Sequence, residues 1–217
     1  MPGWNRFSIA AVTVSLAGAC APAVRLADGP VTACANRRPH WAMPAASPRT
    51  LAVAFATPER SRDGWAIYGD QRLREAAAAW NALSLPLRLR VTADLASADI
   101  RVTVLDVLPT DSDAPEGLRR YRAGVTRLDV SGPGTLRRAH VGIAERSPLG
   151  TPYSVEEQMA TLVHELGHAL GLPHADQRLA LMAAQPVVTS LTSADARLAV
   201  RTLARSDCPQ TSVAVLR

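Results

Sequence analysis

Lysine is absent: all 24 basic residues of this 217-residue chain are arginine, set against 19 acidic ones for a formal charge of +5. Arginine this dominant, beside so much alanine, reads as the codon bias expected of a GC-rich, bacterial genome rather than as selection for a basic surface. The pairs Arg37-Arg38, Arg119-Arg120 and Arg137-Arg138 are scattered, with acidic residues between them, so the pattern does not point to a nucleic-acid partner. Aromatics make up only 4%, which leaves Ala, Leu and Val to build the core. Cysteines number three, too few for a disulfide-dense miniprotein. The longest uncharged run, Phe7 to Val24, lies at the N-terminus, which excludes an internal membrane span. What is present, 47% apolar and 20% charged residues, is the balance of one soluble globular domain.

Arg6 and the free amine form a short positive region, Ile9 to Leu16 an apolar one, and Ala17, Gly18 and Ala19 supply small residues. This is the layout of a secretory signal over residues 1–19. The stretch Leu16-Ala17-Gly18-Ala19-Cys20 resembles a bacterial lipobox, in which the cysteine becomes the lipidated first residue of the mature protein. Ordinary cleavage after Ala19 is the alternative. Lipidation of Cys20 is preferred partly because it leaves Cys34 and Cys208 to pair in an oxidising envelope compartment. Such a bridge would close a long loop, worth about 4–5 kcal/mol at best. The expected location is therefore outside the cytoplasm, lipid-anchored in the cell envelope or secreted, with membrane contact only through the lipid. Residues 20–48, with Pro22, Pro30, Pro39, Pro44 and Pro48, read as a tether or short pro-segment, and His40 has no assignable role there.

Residues 49–217 read as a single α+β domain. Leu51 to Phe55 suits a buried strand. Asp70 can cap a helix whose apolar positions are Leu73, Ala76, Ala77, Trp80 and Leu83, with Pro86 at its exit. Leu87, Leu89 and Val91, then Ile100, Val102 and Val104, alternate with polar residues and predict two strands. Asp106 to Leu136 looks like a long surface connection with a short strand at Val125 to Val130. In Ala139 to Glu145, Val141 and Ile143 alternate with His140 and Gly142, predicting an edge strand with His140 at the surface. Ser154 and Glu157 form a capping-box pattern at the start of a helix, and a last helix runs from about Ala194 to Ala204, capped by Thr192 or Ser193. Strand, helix, strands, then helices predict a sheet packed on helices.

The chemistry concentrates in the first of those two helices. His164 and His168 are four residues apart, hence on one helical face, where two imidazoles can share a zinc ion at about 2.0–2.1 Å. Glu165 follows the first His, placed to act on water without being a ligand. In a continued helix His174 would lie roughly 240° round from His168 and about 9 Å along the axis, too far to share the ion. Gly171 can adopt the left-handed conformation that ends a helix, and Pro173 discourages resumption, so the chain can fold back and offer His174 as third ligand. Three neutral imidazoles leave zinc one open position for water, whose pKa falls to about 7, and Glu165 is the base that would take its proton.

The run from His164 to His174, with Gly171 between, resembles the metzincin superfamily of zinc endopeptidases, and within it the matrixin branch. Met182, eight residues after His174 in Leu179-Ala180-Leu181-Met182, is similar to that family's methionine turn, an apolar floor beneath the zinc ligands. The resemblance implies a twisted, mostly parallel five-stranded sheet, an active-site helix and a C-terminal helix. It implies one catalytic zinc, a peptide or protein substrate held by strand addition, and a monomer. No Tyr follows Met182, so a tyrosine ligand is not available there, and Ala183-Ala184-Gln185-Pro186 replaces the family's Tyr-Pro. The segment before the predicted edge strand lacks the His/Asp pattern of a second zinc site. Calcium stays open, with Asp111, Asp113 and Glu116 read as a solvated loop. Cys34 does not match the family's latency motif, and the disulfide is preferred for it. Two competing readings remain: a closed structural zinc site with Asp176 as fourth ligand, and an envelope lipoprotein that binds peptides in a metzincin-like cleft without cutting them.

Overall fold

The computed structural model describes residues 23–25, 39–43, 48–56, 64–108, 123–132 and 134–203. Apolar alternation sets the sheet. β1 (Ala23–Arg25), β2 (His40–Trp41), β3 (Arg49–Ala56), β4 (Leu87–Val91), β5 (Ile100–Leu105), β6 (Gly124–Ser131) and β7 (Thr135–Ala144) pair in the order β1-β6-β7-β5-β3-β4, with β2 joined to β7. All pairings are parallel except β6 with β7. Helices α1 (Trp65–Asn81) and α2 (Val155–Ala169) pack side by side, α1 against β3 and β4 and α2 against β6 and β7, and α3 (Ser193–Leu203) follows. This is the α+β class that the order of elements predicts and the mostly parallel sheet that the family resemblance implies, with seven strands in place of the implied five. Among the described residues no helix is long and apolar enough to cross a membrane.

Three expectations need correction. The strand containing Ala139 to Glu145 is not an edge: β7 is flanked by β5, with Ile100 opposite Ala139, and by β6, with Thr126 opposite Val141. Its alternation reports one face packed on helices and one left open, which says nothing about whether its edges are paired. The strand on that side of the sheet is β6, whose outer edge meets, among the described residues, the three residues of β1. Second, α1 begins at Trp65, after Gly64 in a left-handed conformation, so Asp70 lies inside the helix and is not its cap. The first turn is held by Trp65 stacked on Phe55 at 5.7 Å. Third, the segment read as a tether contributes β1 and β2 to the sheet, and Trp41 of β2 is buried in the core.

The core contains the expected aliphatic residues together with Trp41, Trp65 and Trp80, all essentially inaccessible. Each of these indoles donates a hydrogen bond into α2: Trp41 to the Ala169 carbonyl at 2.8 Å, Trp80 to the Val163 carbonyl at 2.8 Å, and Trp65 to the Gln158 side chain. A buried indole N–H needs an acceptor. Few as they are, the aromatics thus fix one helix at three points along its length. The expected signal at 1–19, Cys20, Cys34, Cys208 and the acidic loop Asp111 to Glu116 lie outside the described residues.

Candidate metal centre

α2 opens with the capping box read from sequence. The Glu157 N–H donates to Ser154 Oγ at 3.2 Å, and the Ser154 N–H donates to Glu157 Oε2 at 2.7 Å. It closes just past Leu170. Gly171 has φ +97°, its N–H donates to the His168 carbonyl at 2.9 Å, and the Leu172 N–H donates to the Gly167 carbonyl at 3.0 Å. These paired bonds satisfy two carbonyls that a helix end leaves open, and they turn the chain back on itself. A Cβ at Gly171 would also stand 2.8 Å from the Pro39 carbonyl oxygen, so only glycine fits this corner.

The reversal brings His174 beside His164 and His168. One ring nitrogen from each lies within 4.8 Å of the other two, and the ring centroids are 4.7 to 5.4 Å apart. Nδ1–H of His164 donates to the Leu181 carbonyl at 2.6 Å, and Nδ1–H of His168 donates to the Leu172 carbonyl at 2.8 Å. A carbonyl only accepts, so both protons sit on Nδ1, and the lone pairs stay on Nε2 when the rings are neutral. Burial is the main cause that pushes His164 down to about 4 and His168 down to about 3, and burial lowers His174 too. At neutral pH all three are uncharged, the form a metal binds. Nε2 of His164 is buried and has no hydrogen-bond partner among the described residues. An orphaned, neutral imidazole nitrogen clustered with two others suits zinc, which takes histidine nitrogen readily. The carboxyl of Asp176 is exposed and lies outside the cluster, which removes the support for a closed four-ligand site.

Glu165 is fully buried. The Thr126 hydroxyl of β6 lies 2.6 Å from its Oε2 and 2.9 Å from its own backbone carbonyl. Met182 is buried beneath α2 and closes the turn by accepting a 2.7 Å hydrogen bond from the Ala175 N–H. It packs on Gly167, where an added Cβ would come within 2.4 Å of the Met182 sulfur. The turn is held from α3: the buried Asp195 carboxylate accepts from the Leu181 and Met182 N–H groups at 3.0 and 2.8 Å, and from the Thr192 N–H and hydroxyl, both at 2.8 Å. Sequence reasoning missed Asp195, although Thr-x-x-Asp from Thr192 repeats the capping logic already applied at Ser154. It also missed Thr126 and Gly167, for which local pattern carries no signal.

No curated protein matches the chain at a significant level. A sequence model of the family described as matrixin matches residues 56–201, which takes in α1, β4 through β7, α2 with His164 and His168, the return loop with His174, the methionine turn and most of α3. By that match and by the site just described, the chain belongs to the matrixin family, a zinc-dependent branch of the metzincin metalloproteases.

Proposed function

We propose that this protein is a zinc-dependent endopeptidase in which His164, His168 and His174 hold one metal ion and Glu165 handles the proton. The observation that carries the reading is the convergence of three neutral imidazoles around one point, two of them from the helix that carries the buried Glu165 directly after His164. Zinc, when bound, supplies Lewis acidity toward the scissile carbonyl and acidifies water. The residues do the rest. Nδ1–H bonds to Leu181 and Leu172 orient two ligand rings, and Met182 gives them a rigid apolar floor. Glu165 accepts a proton as water attacks and passes it to the leaving amine.

The edge of β6 replaces the predicted β7 edge as the docking line for an extended substrate, because β7 is paired on both sides. A peptide added there has to take the place of Ala23–Arg25. The signal-like N-terminus and the cysteine count support an exported protein, anchored through lipid on Cys20 or secreted, with Cys34 and Cys208 paired.

The test is hydrolysis of casein or a quenched peptide by the zinc-loaded protein, alongside Glu165→Ala. Cleavage should disappear with a chelator and return with zinc, while the Glu165→Ala protein keeps its metal and cuts nothing. Full activity in Glu165→Ala would remove the assigned role. A wild type that binds peptide and zinc without turnover would favour the non-catalytic binder.

A further inference from the structure

Strand β6 and helix α2 meet unusually closely at the candidate base. Gly124 and Thr126 are two apart on β6, both are buried, and so both present the same strand face to the helix. Thr161 and Glu165 are four apart on α2 and look back at them. A Cβ at Gly124 would stand 2.7 Å from Glu165 Cγ and Oε1 and 2.6 Å from Thr161 Cγ2, so the strand leaves a slot only as wide as the glutamate side chain. Into that slot Thr126 brings one hydroxyl, 2.6 Å from Glu165 Oε2 and 2.9 Å from the Glu165 carbonyl oxygen.

We infer that Thr126 is a positioning residue for Glu165: its hydroxyl ties the carboxyl to the backbone of the same residue and so fixes where the base points. The inference rests on the endopeptidase reading for its functional consequence, while the contact itself is independent of it. A single hydroxyl engaging both ends of one residue restricts the torsions between them, which a contact to the carboxyl alone would not do. The arrangement serves either form of the side chain. A carboxylate accepts from the hydroxyl; a carboxylic acid donates to it while the hydroxyl turns to the carbonyl. Thr126 therefore can hold its grip while the proton comes and goes. Valine matches threonine in shape and lacks the hydroxyl, whereas serine keeps the hydroxyl and lacks the methyl, so the two variants separate packing from hydrogen bonding.

The experiment compares wild type, Thr126→Val and Thr126→Ser, zinc-loaded, on one quenched peptide. In Thr126→Val, kcat should fall about 10- to 100-fold, the range expected for one hydrogen bond to a charged group. KM and zinc Kd should stay within about twofold, because the Thr126 side chain is fully buried with its hydroxyl turned to Glu165. Thr126→Ser should recover most of the lost kcat. Crystal structures of the metal-free proteins give a readout besides turnover: the Glu165 carboxyl should leave its wild-type position in Thr126→Val and keep it in Thr126→Ser. Should Thr126→Val fail to fold, Thr126→Ala is read the same way. Wild-type kcat in the valine variant, loss of zinc together with activity, or a serine variant no better than valine would each overturn the inference. If the wild type itself cuts no peptide, the endopeptidase reading fails, and the position of Glu165 in the metal-free crystals still decides this one.

Discussion

Replacing Asp195 should damage both the fold and the metal site, though it lies thirteen residues beyond Met182 and touches no ligand. Its Oδ2 accepts from the Leu181 N–H, the Thr192 N–H and the Thr192 hydroxyl at 3.0, 2.8 and 2.8 Å, and its Oδ1 accepts from the Met182 N–H at 2.8 Å. In Asp195→Ala the Leu181 and Met182 donors are left buried without an acceptor. Hydrogen bonds to a charged group contribute about 1.5–3 kcal/mol each, and their loss is not additive, so about 3–5 kcal/mol of stability should go. Asp195→Asn is milder and more telling. With its oxygen at the Oδ2 position the amide keeps three bonds, but its NH2 then faces the Met182 N–H, donor against donor, at a cost of about 2 kcal/mol. The same turn carries the Leu181 carbonyl that orients His164 at 2.6 Å. Loosening such an outer partner typically weakens metal binding about 10- to 100-fold. Urea unfolding and zinc competition against a chromogenic chelator measure the two effects. Wild-type zinc affinity in an Asp195→Ala protein that is destabilised as expected would break the proposed link from α3 to the ligand.

Gly171→Ala should cost about 2–4 kcal/mol, from the positive φ and from the contact with the Pro39 carbonyl, and should weaken zinc binding by displacing His174; an unchanged melting temperature would show that the corner relaxes freely. Metal-free protein should lose stability on acidification. Burial holds His164 and His168 at about 4 and about 3 against 6.5 for an unburied imidazole. Between pH 6.5 and 4 the unfolded chain therefore binds more protons than the folded one, so this stability is complete above pH 6.5 and drains as pH falls toward the folded values. His164 alone accounts for about 3 kcal/mol by pH 4. Urea midpoints across that range should drop more steeply in wild type than in a His164→Asn, His168→Asn protein, and equal slopes would contradict the account.

The parts of the centre that could be read in the sequence are those whose physics is local. The capping box at Ser154, the i, i+4 histidines and the glycine that ends the helix all act within a turn or two of chain, and the structure forms each of them. The fold class was legible for the same reason, since alternation marks strands residue by residue. What alternation cannot report is the neighbour of a strand, and so it predicts an edge at β7 where β6 lies outside it. At α1 the capping preference of aspartate points to Asp70, while the helix begins earlier, at Trp65, which packs on Phe55. Thr126 and Glu165 are 39 residues apart, and Trp41 and Ala169 are 128 apart. Contacts of that span depend on the assembled sheet, and no local pattern announces them.

The hydrogen bonds around the histidines imply an order of dependence within the site. His164 and His168 belong to a helix held by three indoles, and each ring is oriented by a backbone carbonyl, from Leu181 and Leu172. Their directions follow from the protein alone. His174 sits on the return loop, half-buried, and its one hydrogen-bond contact among the described residues is ring to ring with His168 at 3.1 Å. Its place depends on Gly171 and on the bond from the Ala175 N–H to the Met182 carbonyl, which are constraints on the loop rather than on the ring. Two of the proposed ligands are thus oriented by folding, while the third is delivered to the neighbourhood and left to be aligned. In the proposed metal site His174 is therefore the histidine whose orientation would owe most to the metal, and Gly171 is the residue through which the fold controls it.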